Sequence, residues 1–312
     1  MTVSPAAWVL FNVFILLMLA LDLGVFHRHA HVIRIREAAI WTSVWVALAL
    51  LFNLGIYFYA GTETALEFLT SYVLEKSLSI DNIFVIAMIF GFFAVPAAYQ
   101  HRVLFWGVLG ALVMRGIFIG LGTYILHHWH PVIYLFGGLL LVTGVRMALK
   151  REDAPNLHGN PLVKMARRLV PISRDYHGTR FFVREAGALV ATPLFLVLLL
   201  VELSDIVFAM DSIPAVFAIT DDPFIVYTSN VFAILGLRSM YFFLADVVRR
   251  FVYLRFGLAV VLVFIGAKML IADLVEIPTL VSLVVIAIVL AAAIAASLRE
   301  DVRQSVLETN HH

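Results

Sequence analysis

Five acidic residues lie well away from the ends of stretches of the sequence that are otherwise almost entirely apolar. They are Glu75, Asp81, Glu202, Asp205 and Asp211. An ionised side chain at the centre of a bilayer costs on the order of 2.5–3.5 kcal/mol, so such acids must face one another, a base or water. Carboxylate oxygens are the ligands that manganese, magnesium and calcium prefer. The acids therefore predict a metal cation site, with Asn82 and Ser212 as further oxygen ligands.

Four basic residues share the same apolar stretches. They are Lys76, Arg115, Arg238 and Lys268. Five acids against four bases leave one carboxylate in excess, which a bound cation would balance, and the bases would neutralise the acids of the empty site. The alternative is that all nine charges form structural ion pairs, which contribute little to stability because desolvation offsets their attraction.

The residue inventory gives no sign of an enzyme. Cysteine is absent, which excludes disulfides, thiolate metal ligands and cysteine nucleophiles. The sequence has no HExxH or GxSxG motif and no phosphorylated-aspartate loop. We therefore expect no catalytic residue and no prosthetic group. A net charge of +1 and the lack of a nucleic-acid-binding motif also argue against a nucleic-acid partner.

The composition identifies the elements that must position these charges. The chain is 62% hydrophobic and 14% charged, with a mean hydropathy of +0.99, which predicts an all-α polytopic protein that contacts a lipid bilayer. About 20 apolar residues are needed to cross a bilayer core. Nine stretches meet this requirement, namely 6–26, 38–59, 65–93, 103–126, 131–148, 188–219, 224–248, 254–272 and 279–298.

The basic residues of the connections predict the orientation, because cytoplasmic loops collect Lys and Arg. Arg residues are concentrated in 27–37, 149–187 and 249–255, and the second of these also contains Lys150 and Lys164. The connections on the opposite side contain neither Lys nor Arg, and they are 60–64, 127–130, 220–223 and 273–278. The amino terminus is therefore expected outside and the carboxyl terminus in the cytoplasm. The long 149–187 connection is expected to contain an amphipathic surface helix near 160–170.

Internal repetition relates two groups of three spans. The segment 73–83 is similar to 201–213, and Arg115 and Arg238 then follow at matching places. An odd number of spans per repeat inverts the second copy, as in secondary transporters. The chain accordingly divides into two amino-terminal helices in 1–64, a first repeat in 65–148, a cytoplasmic loop in 149–187, an inverted repeat in 188–272, and a last helix with its tail in 273–312.

The spacing of the acids also bears on helix continuity. Glu202 and Asp211 lie nine residues apart, about half a turn around an ideal helix. Pro214 lacks an amide donor and would free the carbonyl of Met210. We therefore predict an unwound or kinked stretch around 205–214, and a similar break in the third span. Free carbonyls of such broken helices often help transporters to coordinate cations.

Two segments, 75–82 and 202–215, resemble the signature segments of the TerC family, most closely its Alx branch. The resemblance runs from the first span to the ninth. It implies a bacterial inner-membrane protein associated with manganese export, with the response to alkaline pH and historically with tellurium resistance. It also places the acidic motif positions of the family on the five acids named above. A site of carboxylates is electrostatically unsuited to an oxyanion, so tellurite is not expected as a direct substrate.

The resulting hypothesis is a divalent-cation exporter with manganese as its transported substrate. It would work by alternating access between the two repeats. Clustered acids in a low dielectric bind protons readily, which favours proton exchange. The rival hypothesis is a membrane scaffold that contacts other proteins through 149–187 and whose buried charges are structural. A channel or sensor that uses the same site is a third possibility. The physiological metal and the oligomeric state stay open.

Overall fold

A computed structural model describes residues 3–24, 35–129, 131–149, 172–173, 175–185, 188–244, 253–275 and 277–309. Within these ranges the chain forms ten helices and one two-stranded sheet. The helices are α1 (Pro5–Gly24), α2 (Ile35–Ala60), α3 (Thr62–Phe92), α4 (Ala97–His128), α5 (Val132–Leu149), α6 (Pro193–Phe217), α7 (Pro223–Leu235), α8 (Leu237–Leu244), α9 (Leu254–Leu270) and α10 (Thr279–Thr309). The strands are β1 (Phe182–Glu185) and β2 (Ala188–Ala191).

Five of the described helices are long and apolar enough to cross a membrane, and they are α2, α4, α5, α6 and α10. Helix α3 has the length, but every stretch of 18 residues within it contains more than two charged residues. Large apolar side chains cover the outer faces, with Leu51 63% and Phe58 77% exposed. Such faces suit lipid and not water. The predicted helical architecture is confirmed apart from the small two-stranded sheet, whereas the nine crossings and the inverted repeat stay predictions.

The beginning of the sixth predicted span differs from expectation. Residues 188–191 form β2, which pairs in antiparallel fashion with β1, and α6 starts only at Pro193. Proline suits the first turn of a helix because the amide that it lacks would have no intrahelical partner there. Thr192 before it is extended, and its amide donates to the Phe181 carbonyl over 2.9 Å. The predicted surface helix near 160–170 lies outside the described residues.

The prediction of unwound third and sixth spans is wrong. Helix α3 is continuous from Thr62 to Phe92, and α6 is continuous through 205–214 with Pro214 inside it. Proline removes only its own amide donor, and the Ala218 amide donates to the Pro214 carbonyl over 3.1 Å. Pro214 lies in the last turn of α6, which ends at Phe217, so the missing amide hydrogen bond affects only the end of the helix.

The break occurs instead in the seventh predicted span, which consists of α7 and α8 with Gly236 between them. The Lys76 Nζ donates to the Ala233 carbonyl over 3.2 Å, at the carboxyl-terminal end of α7. A Cβ atom on residue 236 would lie 2.5 Å from Lys76 Nζ and 3.4 Å from Trp45 Cβ. A larger residue here would therefore require the end of the Lys76 side chain to move.

The central helices are α3, α4, α6 and α7, since α3 and α4 each pack against both α6 and α7. Helices α5 and α9 pack against each other along most of their length. Cβ atoms added to Gly137 and Gly144 would lie 3.0 Å and 2.8 Å from the carbonyl oxygens of Gly266 and Ala259. The early part of α5 thus meets the late part of α9, and the two helices cross in antiparallel fashion with their backbones close together.

Candidate functional site: a charged cluster centred on Arg115

Arg115 of α4 is the centre of the most heavily bonded group of buried polar residues in the described chain. Its Nη1 forms an ion pair with Glu75 of α3. Its Nη2 lies 3.0 Å from Oδ1 of Asp205 on α6, and its Nε lies 3.2 Å from Oδ2 of the same carboxylate. Nη1 also donates to Asn230 Oδ1 of α7 over 3.1 Å and approaches Ser212 Oγ at 3.4 Å. One guanidinium thus joins four helices.

Helical spacing explains how α3 and α6 reach this arginine. Glu75 and Asn82 are seven residues apart on α3, and Asp205 and Ser212 are seven apart on α6. Seven residues make nearly two full turns, so each pair lies on one face of its helix. Asn82 Nδ2 approaches Asp205 Oδ1 at 3.4 Å and connects the two faces. We call Glu75, Asn82, Arg115, Asp205, Ser212 and Asn230 the Arg115 cluster.

The Arg115 cluster is short of positive charge, and three of its buried polar atoms, one of them the Asn230 Nδ2 donor, have no hydrogen-bond partner among the described residues. Two carboxylates face one guanidinium, so one negative charge is in excess when both acids are ionised. Glu75 Oε2 and Asn82 Oδ1 are buried and have no hydrogen-bond partner among the described residues. A buried polar atom without a partner costs about 1–3 kcal/mol. A cation or a water molecule that supplied these two oxygens with a partner would relieve that cost.

Space for such a species lies next to Asp205. A crevice of about 20 Å³, room for roughly one water molecule, opens between α3, α4, α6 and the start of α8. Its lining is apolar except for Asn82, Ser204 and Asp205. Two members of the Arg115 cluster are therefore reachable from a space within the helix bundle, although the rest of the cluster is closely packed.

The other predicted acids are distributed around this centre. Glu202 lies one turn before Asp205, half-buried, and a Cβ atom on Gly110 of α4 would overlap its carboxylate. Asp211 accepts a hydrogen bond from Thr143 Oγ1 of α5 over 3.1 Å. Asp211 and Asp81 each follow a cluster acid by six residues, which turns them toward other sides of α6 and α3.

Of the four predicted charge-balancing residues, one lies in the Arg115 cluster and the other three have different surroundings. Arg115 directly balances Glu75 and Asp205. Lys76 donates to the Ala233 carbonyl, and Lys268 donates to Ser282 Oγ of α10 over 3.1 Å. Arg238 is buried at the start of α8, and it has a polar interaction of its own. The assignment of all four bases to one site therefore stays a prediction.

The described residues contain no group of three or more His, Asp or Glu side chains placed to hold a metal ion. A guanidinium occupies the position between Glu75 and Asp205 where the sequence predicted a metal cation. The metal assignment of the seven predicted ligands therefore stays a prediction. The chemistry of the donors does fit, because carboxylate, amide and hydroxyl oxygens are all present.

Three contributors to this region were missed in the sequence. Asn230 is 1% exposed and accepts from Arg115, Thr143 bonds Asp211, and Gly110 makes room for Glu202. An Asn in the middle of an apolar helix is a usable signal, since buried amides need partners. No pattern in the sequence indicates which of several glycines faces a carboxylate.

The fold and the Arg115 cluster define an α-helical integral membrane protein with charged residues packed among its helices. Residues 60–305 match the sequence model of the integral membrane protein TerC family. The chain belongs to this family, which confirms the resemblance of its two signature segments.

Several bacterial relatives cover most of the chain. An uncharacterized membrane protein of Myxococcus xanthus is 54% identical over 284 residues, which are 91% of this chain and 89% of the relative. The Alx protein of Escherichia coli K12, provisionally described as a membrane-bound redox modulator, is 51% identical over 292 residues, or 91% of each chain. A Rickettsia felis membrane protein is 40% identical over 279 residues, which are 89% of this chain and 93% of the relative. No solved structure matches.

Proposed function

We propose that this protein is a transporter of divalent metal cations, with manganese as its substrate, and that it exports the ion across the bacterial inner membrane. It acts as a carrier and not as an enzyme, and it needs no prosthetic group. The observation that carries the proposal is the Arg115 cluster, in which two carboxylates share one guanidinium and two buried oxygens lack a donor.

The arrangement suits exchange of one cation for another. An ion that enters the crevice meets Asn82 and Asp205 first. It displaces the Arg115 guanidinium from the carboxylates and binds oxygens of Glu75, Asn82 and Asp205, with Ser212 close by. Arg115 keeps its contact with Asn230. When the ion leaves, Arg115 returns, so the carboxylates are never left unpaired in a medium where unpaired charge is costly.

Manganese fits this donor set because it accepts carboxylate, amide and hydroxyl oxygens. Protons compete with metal for the same carboxylates, which supports coupling of export to proton entry. The remaining acids, Asp81, Glu202 and Asp211, line the route of the ion on either side of the cluster. Helices α3 and α6, which carry these acids, belong to the two repeats that move relative to each other in alternating access. The antiparallel contact of α5 with α9 agrees with inverted repeats. The basic connections favour an outside amino terminus and a cytoplasmic carboxyl terminus.

The direct test is manganese uptake into everted membrane vesicles. Glu75→Gln and Asp205→Asn should each abolish most of the flux at equal levels of inserted protein. Glu63→Gln is the matched control, because Glu63 is an exposed acid at the start of the same helix α3. Flux that is independent of the proton gradient would remove the exchange part of the proposal. Unchanged flux in both cluster variants would remove the transport site.

A scaffold is the second candidate, and one observation favours it. Arg115 joins four helices in the way that a structural ion pair does. On that view the cluster variants lose stability and not transport, and deletion of part of the 149–187 connection abolishes activity. The redox role in the name of the Alx relatives would have to act without thiols here, since the chain has no cysteine.

A further inference from the structure

Three polar side chains converge just before α6, outside the membrane-spanning helices. Ser173 Oγ lies 3.1 Å from His177 Nε2 and 2.6 Å from Glu185 Oε1. The same Nε2 and Oε1 atoms are 3.2 Å apart. An imidazole nitrogen, a carboxylate oxygen and a hydroxyl oxygen thus form a compact triangle. The first two are common ligands of divalent transition metals.

The triangle has the dimensions of one face of a metal coordination shell. Metal ions of this class bind nitrogen and oxygen at about 2.0–2.2 Å. Ligands at that radius in a tetrahedral or octahedral shell lie about 3 Å or slightly more from one another. Two of the observed separations, 3.1 Å and 3.2 Å, match this value, and the third, 2.6 Å between Ser173 Oγ and Glu185 Oε1, is a hydrogen-bond distance that must lengthen when the exposed Glu185 side chain turns to the ion.

The surroundings leave room for the rest of the shell. The side chains of His177 and Glu185 are 41% and 45% exposed, so water can complete the coordination. Ser173 is buried, and its amide donates to the Ala191 carbonyl of β2 over 2.8 Å. The Tyr176 hydroxyl donates to the Phe93 carbonyl over 2.8 Å and fixes the same turn to the end of α3. One ligand is therefore rigidly placed, and two are accessible.

We propose that Ser173, His177 and Glu185 bind a divalent transition-metal ion at a site separate from the Arg115 cluster. The ion joins Ser173 and His177 to β1, whose partner strand β2 ends two residues before α6. Thr192 strengthens this junction, since its hydroxyl donates to the Arg180 carbonyl over 2.7 Å. Metal binding therefore stiffens the segment that leads into the helix that carries Asp205.

The test is a Co²⁺ titration of the purified full-length protein in detergent, without an added histidine tag, followed by visible absorption. The native protein should develop saturable ligand-field bands, of which the component lost in His177→Ala should correspond to one equivalent of Co²⁺. His177→Ala should remove them, and Glu185→Gln should weaken the affinity about tenfold or more, since even outer-shell losses cost metal sites about 10–100-fold. Thermal melting with and without Co²⁺ gives a second readout, with stabilisation in the native protein and none in His177→Ala.

Two controls separate this site from others. His127→Ala replaces an exposed histidine at the end of α4, and Asp205→Asn alters the Arg115 cluster. His127→Ala should leave the Co²⁺ bands unchanged, and Asp205→Asn should leave unchanged the component that His177→Ala removes, so a failed transport site and a failed Co²⁺ site give different results. Bands that persist in His177→Ala, or that vanish on replacement of His311 and His312, would overturn the proposal. A native protein without saturable bands would show that the triangle is a hydrogen-bonded turn only.

Discussion

Arg115 and Asp205 meet at two points, with Nη2 3.0 Å from Oδ1 and Nε 3.2 Å from Oδ2. A planar guanidinium matches a carboxylate in this way, whereas the ammonium of lysine offers a single point of charge. A second edge of the guanidinium is also hydrogen-bonded, because Nη1 contacts Glu75 and Asn230. Arg115 therefore lies between the two carboxylates as an internal cation, and on the proposed function a transported ion must displace it.

Removal of this internal cation should have two opposite effects. Arg115→Gln leaves Glu75 and Asp205 buried without their base, and the loss of one partner of a buried pair costs about 3–5 kcal/mol. The melting temperature in detergent should fall, yet manganese should raise it more in the variant than in the native protein, because the ion no longer competes with arginine. The measurement is thermal unfolding over a series of manganese concentrations.

Arg102→Gln is the matched control for this experiment. Arg102 lies on the same helix α4, donates to Thr179 Oγ1 over 3.1 Å and stacks on Phe181, away from the cluster. Its manganese response should equal that of the native protein. If Arg115→Gln melts lower and manganese does not restore any of the loss, then Arg115 is a structural partner and the exchange mechanism is wrong.

Gly110 should prove essential for the placement of Glu202. A methyl group at residue 110 would overlap the Glu202 carboxylate and push it away from α4. We expect Gly110→Ala to reduce manganese flux strongly, and the shorter side chain of Glu202→Asp to restore part of it in the double variant. Gly120→Ala, on the same helix with no atom within 4 Å of the added Cβ, should transport normally. Equal flux in the two alanine variants would contradict a functional position for Glu202.

The sequence allowed the charged residues of the candidate site to be found, because an ionised side chain in an apolar span is costly and must have a partner. It did not reveal which charges meet. That depends on the rotation of each helix about its axis, and the observed pairing of Glu75 and Asp205 through Arg115 is set by packing among four helices. The seven-residue spacings of Glu75 with Asn82 and of Asp205 with Ser212 were present in the sequence and point to these faces.

Helix continuity was predicted less well. Pro214 was the stronger local signal for a break, yet α6 passes through it. In lipid, every unpaired backbone group costs free energy. A helix that loses one hydrogen bond is therefore more stable than an unwound segment that loses several. The actual break at Gly236 depends on Lys76, which is 160 residues away in the sequence. Contacts of that kind cannot be obtained from local residue preferences.

The contact between Lys76 and Gly236 gives a test of the break between α7 and α8. Gly236→Ala places a methyl group 2.5 Å from Lys76 Nζ, so the lysine must leave the Ala233 carbonyl or the helices must shift. We expect both Gly236→Ala and Lys76→Ala to lower the melting temperature. Their double variant should lose less than the sum of the two, because the methyl group no longer meets the lysine.

The control for this cycle is Gly55→Ala in α2, where nothing lies within 4 Å of the added Cβ. Alanine is favoured over glycine inside a helix by roughly 0.5–1 kcal/mol, so this change should be neutral or slightly stabilising. It should also be additive with Lys76→Ala. Additive losses for Gly236→Ala and Lys76→Ala would mean that the two residues act independently and that the break has another cause.

Tyr176 predicts how the extramembrane turn responds to alkaline pH. Burial raises the pKa of this phenol above its ordinary value near 10, and its neutral hydroxyl donates to the Phe93 carbonyl. The folded state thus binds the proton more tightly than the unfolded state. The stabilisation is fully present below the unfolded pKa, and it declines as the pH rises through the folded pKa.

Native protein in detergent should therefore lose part of its thermal stability from about pH 10 upward, beyond the loss shown by Tyr176→Phe. Tyr176→Phe should start lower at neutral pH, because the Phe93 carbonyl loses its donor, and should change less over the alkaline range. Tyr59→Phe is the control, since Tyr59 is 87% exposed at the end of α2. Parallel melting curves for the native protein and Tyr176→Phe across that range would show that the turn does not depend on the protonated phenol.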